Sequence, residues 1–175
     1  MHNEKFPVIN KNTEREYWIS RSIAVVVFLF AKDTFNQEYI LAEQRGTGTP
    51  DPEYIGKYCV PCGYLDYDET IVQAAQRELM EETGLIIPTS DFKLVNINDL
   101  PESDKRQNVT FRYIVNSNVP VEDLCKLFTT KNSEKDEVES IKFILLNYIN
   151  NYEWAFNHQE LIKEISFKKE KATAL

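Results

Sequence analysis

The stretch GYLDYDETIVQAAQRELMEETGL, residues 63–85, constrains the chain more than any other, because it places three carboxylates where a helix would crowd them together. Ile71, Ala75 and Leu79 recur four apart, the spacing of one buried helical stripe. Asp68 is expected to cap that helix, Glu69 to favour its first turn, and Gly84 to close it. Glu78, Glu81 and Glu82 stand at i, i+3 and i+4, so their side chains leave one face. Carboxylates so placed repel one another, and a hard divalent ion such as Mg²⁺ or Mn²⁺ relieves this, because such ions prefer oxygen donors and also take up waters and substrate phosphates. Arg77 lies eight after Glu69 and four before Glu81, placed to hold one carboxylate by a charge-assisted hydrogen bond. An acidic stripe is also what a solvated surface helix carries, so the three glutamates alone do not decide between these readings.

The flanking sequence supplies strands. SIAVVVFLFA (Ser22 to Ala31) and EYILAEQR (Glu38 to Arg45) read as a hairpin joined by the polar turn KDTFNQ. YCVPC is a short strand that Pro61 stops, since proline has no N–H for a ladder. FKLVNIND (Phe92 to Asp99), NVTFRYIV (Asn108 to Val115) and ESIKFILL (Glu139 to Leu146) read as three more strands. VEDLCKLF (Val121 to Phe128) suggests a short helix. NYEWAFNHQELIKEISFKK (Asn151 to Lys169) suggests a terminal one, with Trp154, Leu161, Ile162 and Ile165 available for packing. Without repeat or linker, 175 residues in this order predict a single layered α/β domain.

Charge and hydropathy restrict the partners. Twenty basic residues against 28 acidic give net −8, the wrong sign for neutralising a nucleic-acid backbone, so no nucleic-acid polymer is expected as partner. A small anionic substrate remains compatible if metal ions mask the carboxylates. No apolar run approaches the about 20 residues that span a bilayer. The first residues also lack the basic-then-apolar order of a signal peptide, so a cytoplasmic location without membrane contact is expected.

Cys59 and Cys62 have the C-x-x-C spacing of zinc half-sites and dithiol centres. A structural zinc site needs two such pairs, and the third cysteine, Cys125, is far away, with His2 and His158 as unsupported alternatives. A thioredoxin-like pair belongs at a strand-to-helix turn, whereas Pro61 and Gly63 follow a strand here. The pair is expected to be two small apolar residues.

The spacing of the whole stretch goes further than the glutamates alone. It reads G-x₅-E-x₇-R-E-L-x-E-E-x-G-L, carried by Gly63, Glu69, Arg77, Glu78, Leu79, Glu81, Glu82, Gly84 and Leu85. A chance match at nine such positions is on the order of 10⁻⁹ per starting point. The run resembles the Nudix box, the signature of the Nudix hydrolases, at every defining position. That resemblance implies an α/β/α sandwich with a mixed sheet as one Nudix domain over residues 1–175. It also implies hydrolysis of a nucleoside diphosphate linked to a moiety X, with Mg²⁺ or Mn²⁺ as cofactor. Carried over, Glu78, Glu81 and Glu82 would bind metal together with the carbonyl of Gly63, and Arg77 and Glu69 would orient the carboxylates. The general base varies in the family: Glu81 is the first candidate and Glu137, in the late acidic segment with Asp136 and Glu139, the second.

Three features suggest a substrate. Pro101 stands close to where a proline marks the ADP-ribose pyrophosphatase branch. AFNHQELI (Ala155 to Ile162) is similar to an A-F-D-H run of ADP-ribose-type relatives, Asn157 departing from its aspartate. Arg45 matches a basic position that often approaches phosphate. ADP-ribose or a related nucleotide sugar is therefore the expected substrate, with a house-cleaning nucleoside triphosphate pyrophosphatase as the alternative. A non-catalytic nucleotide-sensing module would be expected to carry a degraded run, and this one is intact. The four-cysteine ribbon of NADH pyrophosphatases is missing. With 25 residues after Asn150, the winged helix of Nudix-related regulators is not expected. A homodimer is compatible with the resemblance.

Overall fold

A run as apolar and β-branched as IAVVVFLFAK is stable only where both of its faces are covered. The computed structural model, which describes residues 7–9, 12, 16–18, 21–100, 108–130 and 136–173, puts that run at the centre of a mixed sheet. In chain order the elements are β1 (Pro7–Ile9), β2 (Glu16–Trp18), β3 (Ile23–Lys32), β4 (Glu38–Arg45), β5 (Tyr58–Cys59), β6 (Cys62–Tyr64) and α1 (Ile71–Thr83). There follow β7 (Lys93–Asn98), β8 (Val109–Asn116), α2 (Val121–Leu124), β9 (Val138–Leu145) and α3 (His158–Thr173). The first two strands pair as a separate ribbon, which the sequence reading did not foresee.

The other seven form one sheet in the order β5-β4-β3-β8-β7, with β6 also pairing β3 and β9 also pairing β4. β3 runs antiparallel to β4 and parallel to β8, so the expected hairpin is present and the sheet is mixed. Alternation along β3 divides the core. Val25, Val27 and Leu29 face Ala74, Ala75 and Leu79 of α1, whereas Val26, Phe28 and Phe30 face Leu161, Ile162 and Ile165 of α3. This is the expected α/β/α sandwich. Leu79 is fully buried, and truncating such a residue to alanine costs about 2–5 kcal/mol.

Two boundaries differ from expectation for local reasons. The cap of α1 is Thr70, not Asp68: Thr70 accepts from the Gln73 backbone N–H while the Gln73 side chain accepts from the Thr70 N–H, a reciprocal capping box. Asp68 has φ 67, outside the extended region that a capping residue occupies. The terminal helix starts at His158 rather than near Asn151, because Phe156 at φ 55 interrupts the helical backbone and residues 146–151 form a 3₁₀ turn. Trp154 still packs, pairing with Tyr58 in an isolated bridge and donating its indole N–H to the Ile149 carbonyl at 2.8 Å. Gly84 closes α1 as expected, at φ 80 with its N–H on the Met80 carbonyl at 2.8 Å. Pro101 lies outside the described residues. Among the described residues no helix is long and apolar enough to cross a membrane.

Candidate active site

Arg77 is the hub of the site. Its Nη2 and Nε donate to Glu69 Oε1 and Oε2 at 2.8 and 3.1 Å, and its Nη1 donates to Glu78 Oε1 at 2.8 Å and Glu81 Oε2 at 3.1 Å. Nη2 also reaches the Tyr64 carbonyl at 2.8 Å, which ties the end of β6 to the middle of α1. One guanidinium thus joins strand, loop and helix, and its planar fork is what lets it do so. The hydrogen bonds from Arg77 hold Glu69 below the usual carboxylate range.

The three box glutamates share a helix but not an environment. The side chain of Glu81 is 35% exposed and that of Glu78 13%, while Glu82 turns under the helix and is 2% exposed. Burial pushes Glu78 up to about 7 against the pull of Arg77, with Glu81 and Glu137 adding to the rise. Glu82 is raised further, by burial first and then by the charges of Glu43, Cys62 and Glu78. Glu82 Oε2 accepts the Cys62 backbone N–H at 3.0 Å, and a Cβ on Gly63 would run into the Glu78 carboxylate. Strand β6 therefore lies directly against the acidic face of α1.

Beneath this face sits Glu43 of β4, fully buried, which the sequence reading passed over. It accepts the Cys59 thiol proton on Oε1 at 3.1 Å. Burial raises it to about 7, with Cys59, Glu82 and Arg45 pulling the other way and Glu137 adding to the rise. The alternation of EYILAEQR predicts that Glu43 shares the Leu41 face, toward α1, and that was the available signal. Cys59 and Cys62 are free thiols, Cys59 buried and Cys62 half-buried.

Glu137 is drawn toward the cluster by its loop, whose backbone carbonyls at Asp136 and Glu137 accept from Gly48 and Gly46 at 2.7 Å each. Its charge is felt by both Glu78 and Glu43, whereas Asp136 and Glu139 are exposed. Arg45 is 4% exposed, bonded to Thr49 and to Cys59 Sγ, with its guanidinium 5.5 Å from the centroid of the Phe156 ring. His158 is buried at the start of α3 and its Nδ1 accepts the Val60 N–H at 3.2 Å. Asn157 is exposed.

The donor set fits a hard divalent cation. Glu78 and Glu82 are desolvated carboxylates with excess negative charge around them, and Gly63 brings its backbone against Glu78 without a side chain between. Among the described residues no three Asp, Glu, His or Cys side chains already stand as a ligand set. Arg77 Nη1 draws Glu78 Oε1 and Glu81 Oε2 to itself, so a cation would have to share them.

Similar proteins bear on this arrangement. An ADP-ribose pyrophosphatase of Methanocaldococcus jannaschii is 27% identical over 109 residues, a match covering 62% of this chain and 57% of that relative's length. The NUDIX domain of Shewanella oneidensis NrtR, solved with ADP ribose, superposes with a TM-score of 0.69 at 20% identity, covering 86% of this chain and 89% of that one. A bifunctional NMN adenylyltransferase/ADP ribose pyrophosphatase of Francisella tularensis, solved with AMP and a Mn ion, gives a TM-score of 0.65 at 22% identity over 85% of this chain and 42% of that one. At these identities the two structures speak for the fold. A family model of the NUDIX domain matches residues 20–165, which takes in the carboxylate helix, the strand β6 against it and the sheet, so the chain belongs to the Nudix family.

Proposed function

We propose that this chain is a divalent-metal-dependent pyrophosphohydrolase that cleaves the diphosphate of ADP-ribose or a related nucleoside diphosphate sugar. The observation that carries this reading is the acidic face of α1, with Glu78 and Glu81 held by Arg77, itself fixed by Glu69, Glu78 against Gly63, and Glu82 held by the Cys62 backbone N–H. Diphosphates resist attack because their oxygens are negatively charged, so a catalyst must neutralise charge, align a water and take its proton. Bound Mg²⁺ or Mn²⁺ would supply the charge neutralisation and the activation of water.

Glu78, Glu81, Glu82 and the Gly63 carbonyl would hold the ions. Arg77 and Glu69 would fix the carboxylates in place through the bonds already described. Glu81, the most open of the three, is proposed as the base that removes the proton from water, with Glu137 the second candidate. Arg45 would favour the diphosphate through its charge, because Phe156 and Thr49 keep its guanidinium from open solvent. The named activities of the Methanocaldococcus and Francisella proteins, and the ADP ribose bound to NrtR, favour ADP-ribose as substrate. Hydrolysis would then yield AMP and ribose 5-phosphate.

The experiment is a panel of nucleoside-diphosphate-linked compounds and nucleoside triphosphates assayed with Mg²⁺ and with Mn²⁺. Release of AMP from ADP-ribose, lost in Glu82→Gln, is the expected result. Turnover of triphosphates alone would transfer the protein to nucleotide house-cleaning, and binding without turnover would make it a sensor.

A further inference from the structure

The C-x-x-C segment and the buried Glu43 are not used by the activity proposed above, yet they meet in one place. Cys59 donates its thiol proton to Glu43 Oε1 at 3.1 Å, and Cys62 donates its backbone N–H to Glu82 Oε2 at 3.0 Å. Each carboxylate therefore has one oxygen fastened by the same short segment of chain. Glu43 and Glu82 are thus held by residues three apart on that segment, and Glu82 feels the charge of Glu43. Glu43 Oε2, in a residue with no exposed surface, has no hydrogen-bond donor.

Two buried carboxylates fastened by one short segment, one with an unpaired oxygen, need something positive beside them, since desolvated like charges are costly and orphan acceptors are rare. Arg45 does not fill that place. Its guanidinium donates to Thr49 Oγ1 and Cys59 Sγ and lies 5.5 Å from the centroid of the Phe156 ring. The position beside Glu43 and Glu82 also adjoins the box carboxylates, since Glu82 belongs to both groups. A divalent cation is therefore the occupant whose charge and donor preference match.

We infer that Glu43, outside the box and on the central sheet, supplies a further carboxylate ligand to the metal centre, and that Cys59 and Cys62 orient Glu43 and Glu82 toward it. The inference rests on the metal-dependent reading above. Cys59 then has the role usual for a group one bond behind a ligand: its S–H fixes one oxygen of Glu43 so that the other points at the ion. The thiols themselves stay off the metal, and the motif that looked like a soft-metal site instead holds a hard one.

The test is Mn²⁺ binding to metal-free protein, followed by the electron paramagnetic resonance signal of free Mn²⁺, with folding checked by circular dichroism. Glu43→Gln is expected to weaken Mn²⁺ binding by about tenfold to a hundredfold, and Cys59→Ala, which removes only the thiol donor, by about tenfold. Mn²⁺ affinity within twofold of wild type, in whichever of these variants folds, overturns the inference and leaves a shared proton as what joins Glu43 to Glu82. Glu82→Gln is measured alongside. If it too binds Mn²⁺ as wild type does, the metal-dependent reading of the box fails, and that failure is separate from the failure of Glu43 alone.

Discussion

Arg77 meets Glu69 through two hydrogen bonds, Nη2 to Oε1 at 2.8 Å and Nε to Oε2 at 3.1 Å, while its Nη1 is left for Glu78 and Glu81. A lysine keeps the charge but is a single point donor and cannot make the paired contact. Arg77→Lys is therefore expected to lower activity by about tenfold to a hundredfold, as loss of a ligand-orienting partner does. The folded state should lose about 1–3 kcal/mol, read by urea denaturation, because partly buried charge-assisted bonds are broken. Wild-type activity in Arg77→Lys would mean that charge alone, not the fork, organises the face.

How far the sequence carried the fold differs by element. The strands and α1 were legible because periodicity records which faces are buried, and β4 matches its expected limits, Glu38 to Arg45. The cap at Thr70 was missed because Asp68 and Thr70 are both good caps by composition, and the choice is made by the backbone of the preceding turn. The acidic face of α1 was legible from spacing. What spacing could not give is depth: Glu81 and Glu82 are neighbours in sequence, yet one is open and the other buried against β6. Glu43 was missed for a related reason, since a lone acid in a strand looks like an outward polar position until the opposite face is known.

Gly63 of β6 lies directly against the Glu78 carboxylate of α1. Any Cβ there would collide with the Glu78 carboxylate, so Gly63→Ala must displace that side chain or the strand. The Glu78 carboxylate is the far end of a flexible side chain, so stability should change little, but the carboxylate loses its place beside Gly63 and its bond from Arg77. The expected outcome is a protein of near-wild-type melting temperature that needs more Mn²⁺ for half-maximal activity. Unchanged metal dependence would show that Glu78 moves aside without consequence for the ion.

His158 ties α3 to the strand that leads into the site, accepting the Val60 N–H at 3.2 Å. Burial, with Arg112 and Arg45 adding to it, lowers its pKa from 6.5 to about 3. Between those two values the unfolded chain binds a proton that the folded chain does not, so this residue's contribution to stability falls as pH falls from 6.5 toward 3. The slope approaches about 1.4 kcal/mol for each pH unit. Replacing His158 by Gln, which keeps an acceptor but does not titrate, should flatten that part of the stability–pH curve. Equal slopes in both proteins would place the acid sensitivity elsewhere.

The proposal of Glu81 as the base rests on what each carboxylate is free to do. Glu78 and Glu82 are the most buried of the three, and Glu82 has one oxygen committed to Cys62. Glu81 accepts a single bond from Arg77 on Oε2 and is the most open, so it can meet a water. Removal of a general base typically costs about 10²–10⁴ in rate. Glu81→Gln should therefore lower kcat by about 10² or more with little change in KM, since a base acts in the transition state and not in substrate binding. Glu137→Gln should lower kcat by less than about tenfold while leaving the limb of the pH–rate profile that reports the base in place. If that limb instead disappears in Glu137→Gln and persists in Glu81→Gln, the base is on the late loop, and the two bonds that hold the loop to Gly46 and Gly48 become the elements that position it.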